Sequence, residues 1–482
     1  MEKKSGLNIS AKTFIGTVAL LVGIMILAGV LTRIIPQGSY QYQQVDGRSV
    51  VIPGTYEVAE DKTLLPVWRW FTAPFEVLGT SQAVTAGMIM LFILLIGGSF
   101  LVLESAGILS YMIRSIISRF EGRKYTLLAI ITLVCMVLGS TMGLFEETVT
   151  LVPITVALAL MLGWDSLTGI GMSILAVGFG FSAGTLNPFT IGVTQKLADL
   201  PMFSGVLLRV LLFCAIYGLL VLFLTRYAKK IEKNPEKSMM YSLDEQARKR
   251  YQGELSRPEG DTGAKKRALF IFVGFLILVF AYILVAFFVS GLGDYAMPVM
   301  ALCFTGGALA AGKISGFKGG LMKTFFKGMI SIAPSVLLIL LAMSVTYIMS
   351  QGGIIDTILN FFYTQMSGLG PYGGALVIFA LVLLMDFFIG GAAAKAFLLI
   401  PIIIPLADMV GITRQTAIQA FALGDGFTNM LYPTNVVLII TLGMIGVPYG
   451  KWLRWTWKIQ LAFVAVSAIV LTIAVKIGYG PY

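Results

Sequence analysis

The chain of 482 residues has no histidine, only three cysteines, and charged side chains at 12% of its positions. Without histidine there is no Ser-His-Asp triad, no rhomboid-type proteolysis, no HExxH metal site and no imidazole proton relay. Cys135, Cys214 and Cys303 are odd in number, widely spaced and set in apolar runs, which suits packing rather than a disulfide framework or a zinc site. Soluble domains carry roughly a quarter charged residues, so this scarcity excludes an ordinary soluble globular protein. The formal charge of +11 does not point to nucleic acid, because the Lys and Arg excess lies in short segments between apolar runs.

Apolar sequence takes the place of charge: 57% of residues are hydrophobic and the mean hydropathy is +0.89. Runs of about 18 residues or more, long enough to cross a bilayer, recur along nearly the whole chain. The expected fold class is an all-α polytopic membrane protein. The run from Phe14 to Leu31, after Lys3 and Lys4, is longer than a signal-peptide core and lacks a cleavage site, so residues 1–35 read as a retained first span. Residues 36–65 read as an extracytoplasmic loop. Residues 227–267 hold three basic clusters, Lys229-Lys230, Arg248-Lys249-Arg250 and Lys265-Lys266-Arg267, and are cytoplasmic by the positive-inside rule. This places the N-terminus on the cytoplasmic side of the cytoplasmic membrane and the C-terminus, Tyr482, outside.

Two segments break the pattern of plain spans. Residues 66–226 contain a hairpin at 125–164 and a broken helix at 166–200, and residues 313–482 contain a hairpin at 372–411 and a broken helix at 416–446, with connecting spans at 268–312. The first tip carries Gly139, Ser140, Thr141, Gly143, Glu146 and Glu147, and the first break Gly184, Thr185, Asn187 and Pro188. The second tip carries Asp386, Gly390, Gly391 and Lys395; the second break carries Thr428, Asn429, Pro433, Thr434 and Asn435, with Asp425 one turn before it. Irregular backbone and adjacent glutamates at membrane depth require shielding by protein, so the hairpins read as re-entrant, beside about nine crossings.

Sliding the chain on itself by 248 pairs Gly143 with Gly391, Pro153 with Pro401, Gly163 with Gly411, Phe179 with Phe427 and Asn187 with Asn435 without a gap. Positions 143–187 give 14 identities in 45, against roughly 4 by chance in so apolar a composition. An odd number of crossings separates the halves, so the duplication is expected to be an inverted repeat, the design of many secondary transporters. Two tips and two breaks meeting near the midplane would aim helix ends at one cavity. Ser140, Thr141, Thr185, Asn187, Thr428, Asn429, Thr434 and Asn435 then either line a substrate site or cap the half-helices.

Charge departs from the symmetry. Glu147 pairs with Lys395 across the repeat, whereas Glu146, Asp386 and Asp425 face apolar equivalents. Glu147 and Lys395 either pair with each other or contact ligand directly. Four acids against one lysine point to positive charge in the cavity: a cationic or zwitterionic substrate, or a coupling sodium ion or proton held by Glu146, Glu147, Asp386 or Asp425. No resident cofactor or metal is expected.

The stretch GSTMGLFEETVTLVPITVALALMLGWDSLTGIGMSILAVGFGFSAGTLNPF, with the later GDGFTNMLYPTN, resembles the anaerobic four-carbon dicarboxylate carrier family, DcuC, in its YfcC-type branch. That branch is similar to the p-aminobenzoyl-glutamate transporters of the ion transporter superfamily. The resemblance implies a homodimer in which hairpins and broken helices slide as an elevator against a fixed scaffold. It also implies site positions at Gly139, Ser140, Thr141, Glu146 and Glu147 and at the polar residues of both breaks. Members are described as dicarboxylate carriers and as arginine/ornithine antiporters. The charges fit an amino acid better, its carboxylate on Lys395 or a half-helix N-terminus and its amine near Glu146 or Glu147; a C4-dicarboxylate or other small carboxylate is the alternative. Two further classes carry weaker signals: an intramembrane aspartyl protease, from Gly291-Leu292-Gly293-Asp294 with Asp386 and Asp425, and a channel, which opposed hairpins would block. Asp165, Lys196 and Asp199 read as solvent contacts at span ends, and Arg209 as a snorkelling residue or the partner of an acid.

Overall fold

In lipid every backbone N–H and C=O must find a partner within the protein, and the apolar runs satisfy this by coiling into helices. The computed structural model describes residues 11–480 except 46–47, 53, 60–63, 81–82, 121, 256–261, 289–291, 293–294, 367 and 390. Among the described residues eight helices are long and apolar enough to cross a membrane: Phe14–Ile34, Ala86–Ser105, Lys124–Met142, Ser166–Ala183, Val206–Lys233, Leu321–Gln351, Ala392–Val410 and Tyr449–Lys476. The protein is therefore a multi-pass membrane protein. Two of the eight, Lys124–Met142 and Ala392–Val410, lie within the segments expected to form hairpins. The second broken helix divides into Arg414–Thr428 and Val436–Ile445, each too short to cross alone.

The interior is built on the two broken helices. Ser166–Ala183 is buried along its whole window, against 22% for the straight helix Val206–Lys233, so the broken helix runs through the protein while the straight one faces outward. The two broken helices touch backbone to backbone. A Cβ on Gly426 would lie 2.3 Å from the Ser182 nitrogen, so only glycine fits there. Phe179 and Phe427 stack on Phe463 of the last helix, with ring centroids 5.0 and 4.9 Å away. The first hairpin closes at its base, where Tyr125 and Trp164 stack at 6.0 Å. Its tip turns through Gly143 at φ +68°, and the second hairpin turns through Gly391 at φ +84°.

Several expectations need correction. The chain is not wholly α: β1 (Gly38–Ser39) pairs with β4 (Glu57–Val58), and β2 (Tyr42–Val45) pairs with β3 (Arg48–Val51), both antiparallel. The sequence at 36–59 has no run long enough to span, and strand pairing satisfies backbone groups of its described residues. The strands are tied to helix Ile355–Met366, where Asp356 accepts hydrogen bonds from the Tyr40 N–H (3.0 Å) and the Tyr42 hydroxyl (2.8 Å). The segment at 227–267 is largely helical, the helix Val206–Lys233 running into it and Tyr241–Leu255 following.

Asp165 is not a solvent contact but fully buried. It caps the first broken helix through the Thr168 N–H (3.0 Å) and accepts hydroxyl hydrogen bonds from Tyr227 and Ser238, both at 2.6 Å. Arg209 does not snorkel, and among the described residues it pairs with no acid: it is 1% exposed and donates to the carbonyls of Thr185, Phe203 and Ser204 and to the Tyr479 hydroxyl. A guanidinium has five donors, and the carbonyls freed where the chain turns supply acceptors. Lys196 and Asp199 are exposed as expected. Gly390 and the residues Gly291, Gly293 and Asp294 of the GxGD pattern lie outside the described residues, as does Tyr482.

Candidate functional site

A cavity of about 430 Å³ opens where both tips and the second break meet two straight helices. Its lining includes Glu146 from the first tip, Asp386, Phe387 and Gly391 from the second, and Thr434 to Val437 from the second break. Ile89, on helix Ala83–Ser105, and Ala342, Met343 and Thr346, on helix Pro334–Gln351, form the opposite wall. Its size lies within the range of small-molecule sites, roughly 300–1,000 Å³.

Lys395 is not one of the lining residues. It stands in the first turn of helix Ala392–Val410, 1% exposed, and its Nζ is paired with Asp386 and, at 2.5 Å, with Asp425 Oδ1. Asp386 ends the first leg of the same hairpin and Asp425 lies on the adjoining broken helix, so all three groups belong to one half of the chain. The Thr428 hydroxyl donates to the other Asp386 oxygen. The pairing of Lys395 with Glu147 is therefore overturned: two nearer carboxylates hold the ammonium. Glu147 Oε2 is buried without a hydrogen-bond partner, beside Glu146, and Glu146 interacts electrostatically with both Asp425 and Lys395. A buried polar atom without a partner is costly, so among the described residues Glu147 Oε2 is left unsatisfied by the protein alone.

The polar residues of the breaks divide between the two roles open to them. Ser140 and Thr185 are bound to each other, the Thr185 N–H donating to Ser140 Oγ at 3.0 Å and the Thr185 hydroxyl to the Ser140 carbonyl at 3.2 Å, while Asn187 donates to the Gly139 carbonyl at 3.5 Å and accepts from the Thr190 N–H at 3.3 Å. They brace the first break. Thr141 donates to the Val137 carbonyl of its own helix at 2.7 Å. In the second break, Asn429 donates to the Asp425 carbonyl and Asn435 donates to Asn429 Oδ1 at 2.7 Å. Asn435 also caps helix Val436–Ile445 through the Leu438 N–H at 3.1 Å. Asn435 thus caps and lines at once. Thr434 lines the cavity with its Oγ1 buried and unpartnered. Of the residues singled out from sequence, Glu146, Asp386, Gly391, Thr434 and Asn435 reach the cavity; Ile89, Ala342, Met343 and Thr346 were missed. They lie in plain spans whose apolar pattern holds no motif.

Residues 15–476 match the family described as C4-dicarboxylate anaerobic carrier, DcuC. The "Putative basic amino acid antiporter YfcC" of Escherichia coli (strain K12) is 27% identical over 96% of this chain and 96% of its own length. An uncharacterized protein of Haemophilus influenzae (strain ATCC 51907 / DSM 11121 / KW20 / Rd) is 26% identical over 95% of this chain and 96% of its own. Among solved structures, the Alcanivorax borkumensis YdaH transporter is 18% identical with a TM-score of 0.43, covering 97% of this chain and 100% of that one.

Proposed function

This chain belongs to the C4-dicarboxylate anaerobic carrier family and is a transporter, not an enzyme, and from that premise we propose that it exchanges a small cationic or zwitterionic amino acid, arginine- or ornithine-like, across the cytoplasmic membrane. One observation carries the reading. The described lining of the cavity includes two carboxylates, Glu146 and Asp386, and no cationic side chain, because Lys395 is held behind the wall by Asp386 and Asp425. A small dicarboxylate entering this cavity would meet like charge; an ammonium or guanidinium would relieve it. The nine lining residues without polar side chains suit the methylene chain of such an amino acid. The name of the Escherichia coli relative points the same way.

In this proposal transport proceeds by alternating access. With the cavity empty, Lys395 is shared among Asp386, Asp425 and the field at Glu146, so the acids outnumber the one cation and a carrier that crosses the membrane empty is disfavoured unless a proton or sodium ion replaces the substrate; loaded with a cation it is neutralised and can move. In this proposal the two hairpins and broken helices form the moving unit and the helices bearing Ile89 and Thr346 the fixed wall, in a homodimer with inverted repeats. Counterflow of radiolabelled arginine and succinate in proteoliposomes, with and without a sodium gradient, tests the substrate. Saturable arginine exchange, reduced at least about tenfold in Glu146→Gln, is the expected result. A second reading, a small carboxylate carrier, draws on the N-terminus of helix Val436–Ile445 at the cavity wall and on the family's description. Succinate exchange without arginine exchange would establish it and sink the first.

A further inference from the structure

The cavity carries two hydroxyls that the protein leaves unused. Thr346 sits on helix Pro334–Gln351 with Ala342 and Met343, at a spacing that turns all three toward one side. Helical threonines and serines ordinarily bond back to a carbonyl one turn earlier, and here Thr132, Thr141, Ser173, Ser182 and Thr456 do so, as does Ser344 on the same helix at 2.6 Å from the Leu340 carbonyl. Thr346 makes no such bond among the described residues. Thr434, from the second break, lines the same cavity, and its Oγ1, shielded just behind the wall, has no hydrogen-bond partner among the described residues. Beside it, Val436 and Val437 line the cavity as the first two residues of the ten-residue helix Val436–Ile445. Their N–H groups have no carbonyl one turn back, and the Asn435 side chain is taken up by the Leu438 N–H instead.

We propose that Thr346 and Thr434, together with the N–H groups of Val436 and Val437, form a carboxylate hook: the subsite for the substrate's carboxylate, separate from the acidic subsite at Glu146. The idea rests on the reading of the cavity as the substrate site. Its chemistry is complementary to that of Glu146. Hydroxyls and the positive end of a helix are donors to an anion, and here they belong to residues that line the cavity, whereas Lys395 is withdrawn into its aspartate pair. Thr346 is a specificity-determining residue, since it lies on the wall built by the straight helices while Thr434 lies on the broken helix. A substrate carboxylate bonded to both would bridge the two, and one lacking the carboxylate would engage only the acidic subsite.

The test compares wild type with Thr346→Val, an isosteric change that removes only the hydroxyl, and with Thr346→Ser, which restores it. Each is reconstituted and assayed for arginine KM and kcat and for inhibition by agmatine, which keeps the guanidinium and lacks the carboxylate. Thr346→Val is expected to raise the arginine KM about tenfold, leave kcat and the agmatine inhibition constant nearly unchanged, and be rescued by Thr346→Ser. An unchanged arginine KM, or an equal shift for arginine and agmatine, overturns the hook. If wild type exchanges succinate and not arginine, the amino-acid reading falls, and the same variant then decides the hook separately. A raised succinate KM sustains it and an unchanged one removes it. Thr434→Val, expected to act in the same direction, guards against a local repacking effect confined to helix Pro334–Gln351.

Discussion

A lysine at 1% exposure is wedged between the carboxylates of Asp386 and Asp425. Removing it would leave two buried anions without compensation, which costs about 3–5 kcal/mol for a buried pair, whereas replacing a whole ionic cluster by neutral groups is often tolerated. Lys395→Met should therefore lower the thermal midpoint in detergent strongly, and the combination with Asp386→Asn and Asp425→Asn should recover most of the loss. A midpoint unmoved by Lys395→Met would mean that the cluster does not hold the second tip. Glu147 makes a different prediction. Its Oε2 has no partner and it does not appear in the cavity lining, so Glu147→Gln should disturb folding little and affect substrate KM less than Glu146→Gln. Equal KM effects would place both carboxylates on the substrate.

At the scale of elements, the breaks work because the helices that carry them touch. Gly426→Ala would set a methyl 2.3 Å from the Ser182 backbone, an atom that cannot rotate away, and should cost about 1–3 kcal/mol by overpacking. Wild-type stability and exchange in that variant would show that the crossing can separate freely. The helix Tyr241–Leu255 is joined to the first broken helix by Asp244, which accepts the Ser166 N–H at 2.8 Å near Asp165. Burial, and then the neighbouring Asp165, push the Asp244 carboxyl up to about 7. An acid whose pKa is raised on docking binds its proton more tightly in the docked state. The contact is therefore strongest at low pH and weakens as pH rises from about 4, the unperturbed value, through about 7. Hydrogen exchange of residues 241–255 should accelerate across that range in wild type, and Asp244→Asn should flatten the profile. An unflattened profile would remove Asp244 as its source.

Over the whole molecule, the positive-inside rule sets the expectation for the sides. Reporter fusions after Lys233 and at the C-terminus should report cytoplasmic and extracytoplasmic positions respectively; two reporters on one side would break the crossing scheme. The helical membrane architecture was legible in sequence because lipid leaves the backbone few choices: the long helices fall where apolar run length puts them. The candidate site was half legible. Glu146, Asp386, Thr434 and Asn435 stood out because polar residues at membrane depth are conspicuous. Thr346, Met343, Ala342 and Ile89 did not, since one hydroxyl in an apolar helix looks like any other.

What the sequence determined by itself was the membrane environment, the absence of histidine chemistry, the family, and the inventory of charges available to a site. These depend on composition and local pattern, which folding does not alter. Only the tertiary structure decided which acid holds Lys395, which hydroxyls stay unused, and that Asp165 and Arg209 are buried among partners. Such choices turn on distances of a few ångströms between segments far apart in the chain. Coulomb and hydrogen-bond energies in a low-dielectric interior change steeply over that range, and no spacing in the sequence encodes them.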